Sequence, residues 1–284
     1  MKTCLVLEGG ALRGIYTAGV LDALQEENIK IDAIIGVSMG SLVGINYLSN
    51  QPGRAIRYNL KYCNDKRYLS FHSLIKTGNI ANKEFDYYEI PEKLDKFDYE
   101  TFKKSKIKFY CTVTNVETGE AEYIQIKDAK KDVEYLRASS SMPGVSRLVE
   151  INGNKYLDGG MSDSIPIKKA QELGFDKIII VTTRPISYRK RKSQMKTLSR
   201  IYHKYPNFVK TIKHRNENYN KTVEYIIDQE EKEKVFVIRP SEKIPIKRIE
   251  KNKKIIKAQY DLGVKDFKTQ KEKLYNYLRK KEIK

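Results

Sequence analysis

The sequence has little of several features on which common enzyme and membrane architectures depend. Its 284 residues include only three histidines and three cysteines, and no two cysteines form a CxxC pair. The cysteines therefore indicate neither a disulfide framework nor a zinc site. No apolar run approaches the roughly 18–20 residues of a membrane-spanning helix. The first residues, MKTCLVLEGG, also lack the roughly 7–15 apolar residues of a secretion signal, so we expect a cytoplasmic protein.

Positive charge is abundant and unevenly distributed. The formal net charge is +19, and between Arg184 and Lys221 twelve basic residues accompany one acidic residue, Glu217. Such a segment favours an anionic partner, and the hypothesis is peripheral contact with an anionic membrane rather than with nucleic acid. The alternative is a merely solvated basic face. The residues expected to make the contact are Arg189, Lys190, Arg191 and Lys192.

The order of patterns along the chain predicts an α/β fold. TCLVLE (3–8) and IDAIIG (31–36) have the composition of short buried strands, and residues 15–27 place apolar side chains at helical spacing. Strand, glycine-rich turn, helix and strand in this order indicate a mainly parallel sheet with helical crossovers. The tyrosine-rich stretch from about 50 to 105 gives no clear assignment.

A Gly-x-Ser-x-Gly pentapeptide, GVSMG, follows the second predicted strand. Its spacing is typical of a nucleophilic serine, here Ser38, on a sharp turn from strand to helix. Gly36 and Gly40 leave room that a Cβ would fill, and the dipole of the following helix favours an alkoxide. Alone, the pattern also fits an ordinary strand–helix turn.

A second glycine-rich turn, LEGGALRG, follows the first predicted strand. Two phosphate-binding patterns fail here, because Ile15 stands where the Walker motif needs lysine and Ala11 where the dinucleotide motif needs glycine. The remaining functional hypothesis is an oxyanion hole of backbone N–H groups, and the alternative is a tight packing turn. The candidate donors are Gly9, Gly10, Ala11, Leu12, Arg13 and Gly14.

A third motif, Asp158-Gly159-Gly160, sets a carboxylate on a glycine-flanked turn. By itself it says little, since Asp-Gly is a favoured turn pair. Taken in order, however, GGALRG, GVSMG and DGG closely resemble the motifs of the patatin-like phospholipases, and RASSSMPG (137–144) is similar to a small-residue segment of that family. The resemblance covers about residues 1–185, and the remainder looks similar to an extension found in a bacterial subgroup.

The resemblance implies a three-layer α/β fold with a mainly parallel central sheet flanked by helices. It also implies a serine acyl hydrolase, a phospholipase A, lysophospholipase or lipid esterase, with Ser38 as nucleophile and Asp158 as general base. No histidine, metal or organic cofactor is implied. Residues 1–185 would form the catalytic domain. Residues 186–284 would form a basic, mostly helical extension whose strand at about 235–239 joins the core sheet.

One departure from the family pattern concerns the oxyanion loop. Family members commonly carry three consecutive glycines, and the third position here is Ala11. Alanine keeps its N–H, so the expected hole survives if this residue does not need a positive φ. Loss of one donor from such a hole costs about 10²–10³ in rate.

Three functional alternatives remain open at this point. A histidine triad is the first, because Ser38 and Asp158 followed by His203 or His214 match the chain order of α/β-hydrolases. An acyltransferase is the second, since an acyl-enzyme can pass its acyl group to an alcohol instead of water. The third is a scaffold, impaired at the oxyanion loop, that binds lipid or nucleic acid without catalysis.

Overall fold

The computed structural model describes residues 1–191 and 196–280. Within these ranges, eight strands form one mixed sheet in the order β5-β6-β3-β2-β1-β7-β8, and β4 also pairs with β3. The strands are β1 (Thr3–Leu7), β2 (Ala33–Val37), β3 (Lys108–Asn115), β4 (Ala121–Ile126), β5 (Val149–Ile151), β6 (Asn154–Asp158), β7 (Lys177–Val181) and β8 (Phe236–Ile238).

The centre of the sheet is parallel. β1 pairs in parallel with β2 and β7, β2 with β3, and β7 with β8, whereas the pairs β3–β4, β3–β6 and β5–β6 are antiparallel. Every residue of β1, β2 and β7 is buried, as expected for strands covered on both faces. The predicted α/β fold with a mainly parallel sheet is therefore confirmed.

Helices cover both faces of the sheet. In the described part of the chain the α-helices are α1 (Ile15–Glu26), α2 (Met39–Leu48), α3 (Arg54–Tyr62), α4 (Phe71–Thr77), α5 (Tyr99–Lys104), α6 (Val133–Ser140), α7 (Ile167–Glu172), α8 (Lys196–Ile201), α9 (Pro206–Glu231) and α10 (Lys253–Arg279). Short 3₁₀-helices span Ala11–Gly14 and Gly159–Met161, and a π-helix spans Phe85–Leu94. No helix in these ranges is both long and apolar enough to cross a membrane.

Side-chain alternation along the strands produces the layers. Leu5 and Leu7 of β1 pack on one face with α1, α2, α3 and α10, whereas Cys4 and Val6 pack on the other with α7 and α9. The stretch between 50 and 105, for which the sequence pattern predicts no elements, forms α3, α4, the π-helix and α5. Its apolar side chains, including Phe85, belong to the first of these cores.

The chain beyond residue 185 contributes to the same sheet and to both helical layers. β8 extends the sheet by pairing with β7, and α10 packs along α1. The two helices approach closely at glycines. A Cβ on Gly19 would lie 2.1 Å from the carbonyl oxygen of Tyr260, and one on Gly263 would lie 2.1 Å from that of Tyr16. This crossing therefore requires glycine on both helices.

We expect Gly19→Ala to destabilise the protein by about 3 kcal/mol, because the added methyl meets backbone that cannot rotate away. The measurement is the free energy of unfolding by denaturant titration. Gly53→Ala is the control, since Gly53 has a φ of +74° but nothing within 4 Å of its missing Cβ. The control should lose only about 1 kcal/mol through backbone strain. Equal losses in both variants would contradict close helix packing at Gly19.

Candidate active site

Ser38 lies on the sharp turn between β2 and α2. Its φ is +53° and its ψ −123°, a conformation that L-residues rarely adopt and that costs of order 1–3 kcal/mol. The flanking glycines allow the turn to form. A Cβ on Gly40 would lie 2.5 Å from the carbonyl oxygen of Leu7, and one on Gly36 would lie 2.7 Å from the Ser41 nitrogen. Strain of this kind is typical of functional sites.

Asp158 meets Ser38 directly. The Ser38 Oγ donates a hydrogen bond of 2.8 Å to Asp158 Oδ2, and both residues are only 7% exposed. Strand register brings them together, because β2 pairs with β3 as far as Val37 opposite Thr112, and β6 places Asp158 opposite the next residue, Val113. The two strands on either side of β3 therefore reach neighbouring positions, and Ser38, the residue after Val37, comes close to Asp158.

The DGG turn fixes the orientation of this carboxylate. The Gly160 N–H donates to Asp158 Oδ1 at 2.7 Å. Gly159 passes so near β3 that a Cβ would lie 2.2 Å from the carbonyl oxygen of Thr112. One carboxylate oxygen therefore accepts from Ser38 and the other from the backbone. A carboxylate held in this way is ready to accept the serine proton.

Burial raises the pKa of the Asp158 carboxyl above its usual value. The hydrogen bonds from Ser38 and Gly160 oppose this rise, as do the positive charges of Arg215 and Lys190. A raised pKa makes the carboxylate a stronger base than an exposed aspartate, provided that it remains ionised. The nearby cations help to keep it ionised.

The small-residue segment 137–144 supports both partners. Ser139 Oγ accepts a 2.8 Å hydrogen bond from the Ser38 N–H and donates to the Thr112 carbonyl at 2.6 Å. The carbonyl oxygen of Ser141 accepts from the Asp158 N–H at 2.9 Å. This segment thus positions the serine and the aspartate from one end of α6. The sequence indicated the segment only by resemblance and assigned no role to these two serines.

The glycine-rich loop after β1 borders Ser38, but only some of its N–H groups are free. A Cβ on Gly9 would lie 3.2 Å from Ser38 Cβ. The N–H groups of Gly9, Leu12 and Arg13 are already bonded to the carbonyl oxygens of Ser164, Arg248 and Gly10. These three predicted donors are therefore not available, which corrects the expectation that the whole loop forms the hole.

Gly10 and Ala11 are the available donors at this turn. Among the described residues, neither N–H has a hydrogen-bond acceptor in the protein. Gly14 has a packing role instead, because a Cβ there would lie 2.7 Å from the Met39 side chain. The candidate donors of the predicted oxyanion hole are thus reduced to two N–H groups, at the start of the loop.

Ala11 adopts a φ of +50°. The condition set by the sequence, that Ala11 should not need a positive φ, is not met. An alanine in the left-handed region costs roughly 1–2 kcal/mol, which the surrounding structure offsets. Its N–H is nevertheless free. The substitution of alanine for the usual third glycine therefore costs stability without removing the donor.

Two cavities meet at Ser38, and both also border Ala11, Met142 and Arg248. The first is mostly apolar, with a volume of about 140 Å³. Its wall includes the apolar side chains Leu12, Met39, Leu42, Ile45, Tyr58, Tyr68, Leu69, Ile80, Tyr87, Ile90, Phe97, Val133, Leu136 and Ile249. Asp86 is a polar exception in this wall, and burial raises the pKa of its carboxyl well above the usual range, which favours the neutral acid.

The second cavity, of about 300 Å³, is polar and strongly basic. It borders two carboxylates, Glu8 and Asp158, and six basic side chains. The basic side chains are Arg13, Arg184, Lys190, Arg191, Arg215 and Arg248. Four of them lie beyond residue 185, so the chain on both sides of that position builds this cavity.

Most of the residues that line this second cavity could not be predicted from the sequence. Arg215 on α9 donates to the Gly160 carbonyl at 2.6 Å, and Tyr219 on α9 donates to Glu8 at 2.8 Å. Glu8 also accepts from the N–H and the hydroxyl of Thr183. The clustering of positive charge after Arg184 was the only signal in the sequence, and it could not show that this charge faces the serine.

The residues proposed for membrane contact have different environments in the structure. Lys190 faces the cavity, with its ammonium 3.7 Å from the centre of the Tyr219 ring. Lys190 is thus half-buried and lines the cavity, whereas the sequence suggested a role on the outer surface. Arg189 is ion-paired with Glu224, Arg191 is exposed, and Lys192 lies outside the described residues. Membrane contact by this segment stays a prediction.

In the described chain, none of the three histidines is hydrogen-bonded to Ser38. His203 and His214 are exposed, and their ring nitrogens lie near the backbone carbonyls of Arg200 and Lys210. His72 is exposed on α4. Ser38 instead donates its hydrogen bond to Asp158, so the geometry gives the histidine-triad alternative no support. Across residues 1–191 and 196–280, no group of three or more His, Cys, Asp or Glu side chains is placed to hold a metal ion.

These features define an α/β protein with a strained, buried serine paired with an aspartate at the carboxyl edge of its sheet. The family model described as patatin-like phospholipase matches residues 5–170, and a domain of unknown function (DUF6363) matches residues 205–279. Because the first match covers more than half of the chain, the protein belongs to the patatin-like phospholipase family. The resemblance seen in the three motifs is confirmed.

Two relatives are about 30% identical to this chain over the residues that align with it. The uncharacterised protein YjjU of Escherichia coli is 30% identical over 190 residues, which are 65% of this chain and 52% of YjjU. Lysophospholipase nte1 of Aspergillus niger is 31% identical over 62% of this chain. The chain thus spans about half of YjjU but only 11% of the lysophospholipase.

A solved structure is also similar to this chain. VipD from Legionella pneumophila aligns over 94% of this chain and 67% of its own, with a TM-score of 0.41 and 13% identity.

We expect Ala11→Gly to stabilise the protein by about 0.5–1 kcal/mol, because it relieves the positive φ at the cost of some chain entropy. The measurement is thermal and denaturant unfolding. The control is Ala18→Gly in α1, where no positive φ is relieved and about 1 kcal/mol should be lost. A destabilised Ala11→Gly variant would show that Ala11 is not strained.

Proposed function

We propose that the protein is a serine acyl hydrolase that cleaves a carboxylic ester of a phospholipid or lysophospholipid. Ser38 is the nucleophile and Asp158 the general base. The observation that carries this proposal is the 2.8 Å hydrogen bond from Ser38 Oγ to a buried carboxylate, on a strained turn with free N–H groups beside it. Membership of the patatin-like phospholipase family supports the lipid substrate.

The first half-reaction forms an acyl-enzyme. Ser38 Oγ attacks the ester carbonyl carbon while its proton passes to Asp158 Oδ2. The tetrahedral intermediate then collapses, the bond between the carbonyl carbon and the alcohol oxygen breaks, and the leaving alcohol takes the proton from Asp158. The products are an alcohol and an ester of Ser38.

The second half-reaction releases the fatty acid. A water molecule takes the place of the alcohol and gives one proton to Asp158 as its oxygen attacks the acyl carbon. Collapse of this second intermediate breaks the bond to Ser38 Oγ, which regains its proton from Asp158. The carboxylic acid leaves, and both side chains return to their starting protonation states.

Two features stabilise the negative oxygen in both intermediates. The N–H groups of Gly10 and Ala11 are the oxyanion donors. The amino terminus of α2 begins beside Ser38, and its dipole, equivalent to roughly half a positive charge, favours negative charge there. The apolar cavity takes the acyl chain, because its wall is aliphatic and aromatic and begins at Ser38.

Transfer of the acyl group to an alcohol uses the same first half-reaction. The dyad itself does not distinguish hydrolysis of the acyl-enzyme from acyl transfer to an alcohol. Product analysis with glycerol as a competing acceptor does. Free fatty acid as the main product supports the hydrolase. Acylglycerol as the main product would replace it with an acyltransferase.

We expect Ser38→Ala to lower kcat/KM for a lysophospholipid about 10⁴-fold or more, and Asp158→Asn about 10²–10⁴-fold. The measurement is fatty-acid release by purified, folded protein. Asp261→Asn is the control, because this carboxylate on α10 is exposed, pairs with Lys257 and is not part of either cavity wall in the described chain. Retained activity in Ser38→Ala would overturn the proposed nucleophile.

The pH profile provides a check on the base. Asp158 must be ionised to accept a proton, and its pKa is raised by burial. Activity should therefore fall as the pH is lowered, with the acid limb of kcat/KM clearly above the pKa of about 3.9 of an ordinary aspartate. An acid limb below that value would contradict a buried base.

A further inference from the structure

We propose that the basic cavity beside Ser38 binds the phosphate of a lipid whose headgroup is a phosphate monoester, so that the preferred substrate is an anionic lysophospholipid rather than a choline lipid. The proposal rests on the proposed function, because it names the substrate class of the same serine.

The cations of this cavity outnumber its carboxylates, and in the described chain they form no close ion pairs. In the described ranges, no ion pair joins an acidic side chain to any of Arg13, Arg184, Lys190, Arg215 or Arg248. The two carboxylates that border the cavity are engaged elsewhere, Asp158 by Ser38 and Gly160, and Glu8 by Thr183 and Tyr219. Six basic side chains and two carboxylates border the cavity, so positive charge is in excess there.

Burial makes this excess costly in the absence of an anion. Arg13 Nε is buried and has no hydrogen-bond partner among the described residues. Burial, followed by the charge of Arg184, lowers the pKa of Arg13 to about 10. Burial, followed by the charge of Arg215, also lowers the pKa of Lys190. A bound anion would relieve both the desolvation and the repulsion.

The backbone holds these cations in place before any ligand binds. The Lys190 N–H donates to Asn220 Oδ1 at 2.8 Å, and the Asn220 amide donates back to the Lys190 carbonyl at 2.9 Å. Arg215 is fixed by its 2.6 Å bond to the Gly160 carbonyl. Preorganised guanidinium groups are well suited to phosphate, which they bind with two parallel hydrogen bonds.

The aromatic residues of the cavity argue against a choline headgroup. A quaternary ammonium is bound by open aromatic faces. Here the Tyr219 ring is covered by the Lys190 ammonium at 3.7 Å, and the Tyr188 ring by the Arg184 guanidinium at 4.3 Å. A trimethylammonium group would therefore meet cations in place of free rings. A phosphate monoester, which carries a charge of about −1.5 to −2 at neutral pH, fits the same space.

The position of Ser38 agrees with such a substrate. Ser38 and Ala11 border both cavities. A lysophospholipid whose ester carbonyl lies at Ser38 would therefore extend its acyl chain into the apolar cavity and its phosphate into the basic one. The two cavities match the two ends of one molecule.

The test compares three substrates with the same oleoyl chain in mixed detergent micelles. These are lysophosphatidate, lysophosphatidylcholine and monooleoylglycerol, which has no phosphate. The wild-type kcat/KM should be about tenfold or more higher for lysophosphatidate than for either of the others. Arg248→Gln should lower that preference about tenfold, because Arg248 is an exposed cavity cation with no ion pair in the described chain. Arg279→Gln, an exposed arginine at the end of α10, is the matched control for general attraction of a basic protein to anionic micelles.

The outcomes separate this proposal from the one on which it rests. Hydrolysis of none of the three esters would overturn the proposed function. Hydrolysis of all three with equal efficiency, or a preference that Arg279→Gln lowers as much as Arg248→Gln, would overturn the headgroup assignment alone. Inorganic phosphate and glycerol 1-phosphate are then tested against hydrolysis of monooleoylglycerol. Inhibition without any preference for lysophosphatidate would assign the cavity to a free phosphate compound instead.

Discussion

Direct contact between Ser38 and Asp158 is the constraint on which the site depends. No imidazole separates them, so the turn after β2 and the turn after β6 must approach within the length of one hydrogen bond. Gly40 permits the first turn to pack against β1, since a Cβ there would lie 2.5 Å from the Leu7 carbonyl oxygen. Gly159 permits the second against Thr112 in the same way. The glycines of the GVSMG and DGG motifs are therefore needed for steric reasons, because they let the backbone of each turn pass close to its neighbours.

The electrostatic properties of the site depend on this contact between Ser38 and Asp158. Burial of the pair raises the pKa of Asp158 and so increases its basicity, while Arg215 and Lys190 favour its ionised form. These cations come from the chain beyond residue 185, as does Arg248. The serine and aspartate are supplied by the first part of the chain, and much of the charge around them by the second. The basic segment thus acts at the dyad, where the sequence alone had suggested only an outer surface.

The sequence predicted the parts of the structure that local patterns encode. The sheet core, α1 and the turn at Ser38 follow from buried runs and glycine spacing, and the pairing of Ser38 with Asp158 came from the family resemblance. Ser139, Glu8 and Lys190 could not be found in this way, because their roles arise from contacts between residues far apart in sequence. Residues 50–105 were not predicted because their α-helices have only six to nine residues and their π-helix contains Pro91, which is atypical of a helix interior.

The most direct test of the account is the intact mass of the protein after treatment with a long-chain fluorophosphonate, which reacts with activated serines. The account predicts one adduct on the wild type, located at Ser38 by peptide mapping, none on Ser38→Ala, and slow labelling of Asp158→Asn. An unlabelled but folded wild-type protein, or an adduct that persists in Ser38→Ala, would contradict the assignment of Ser38 as a nucleophile activated by Asp158.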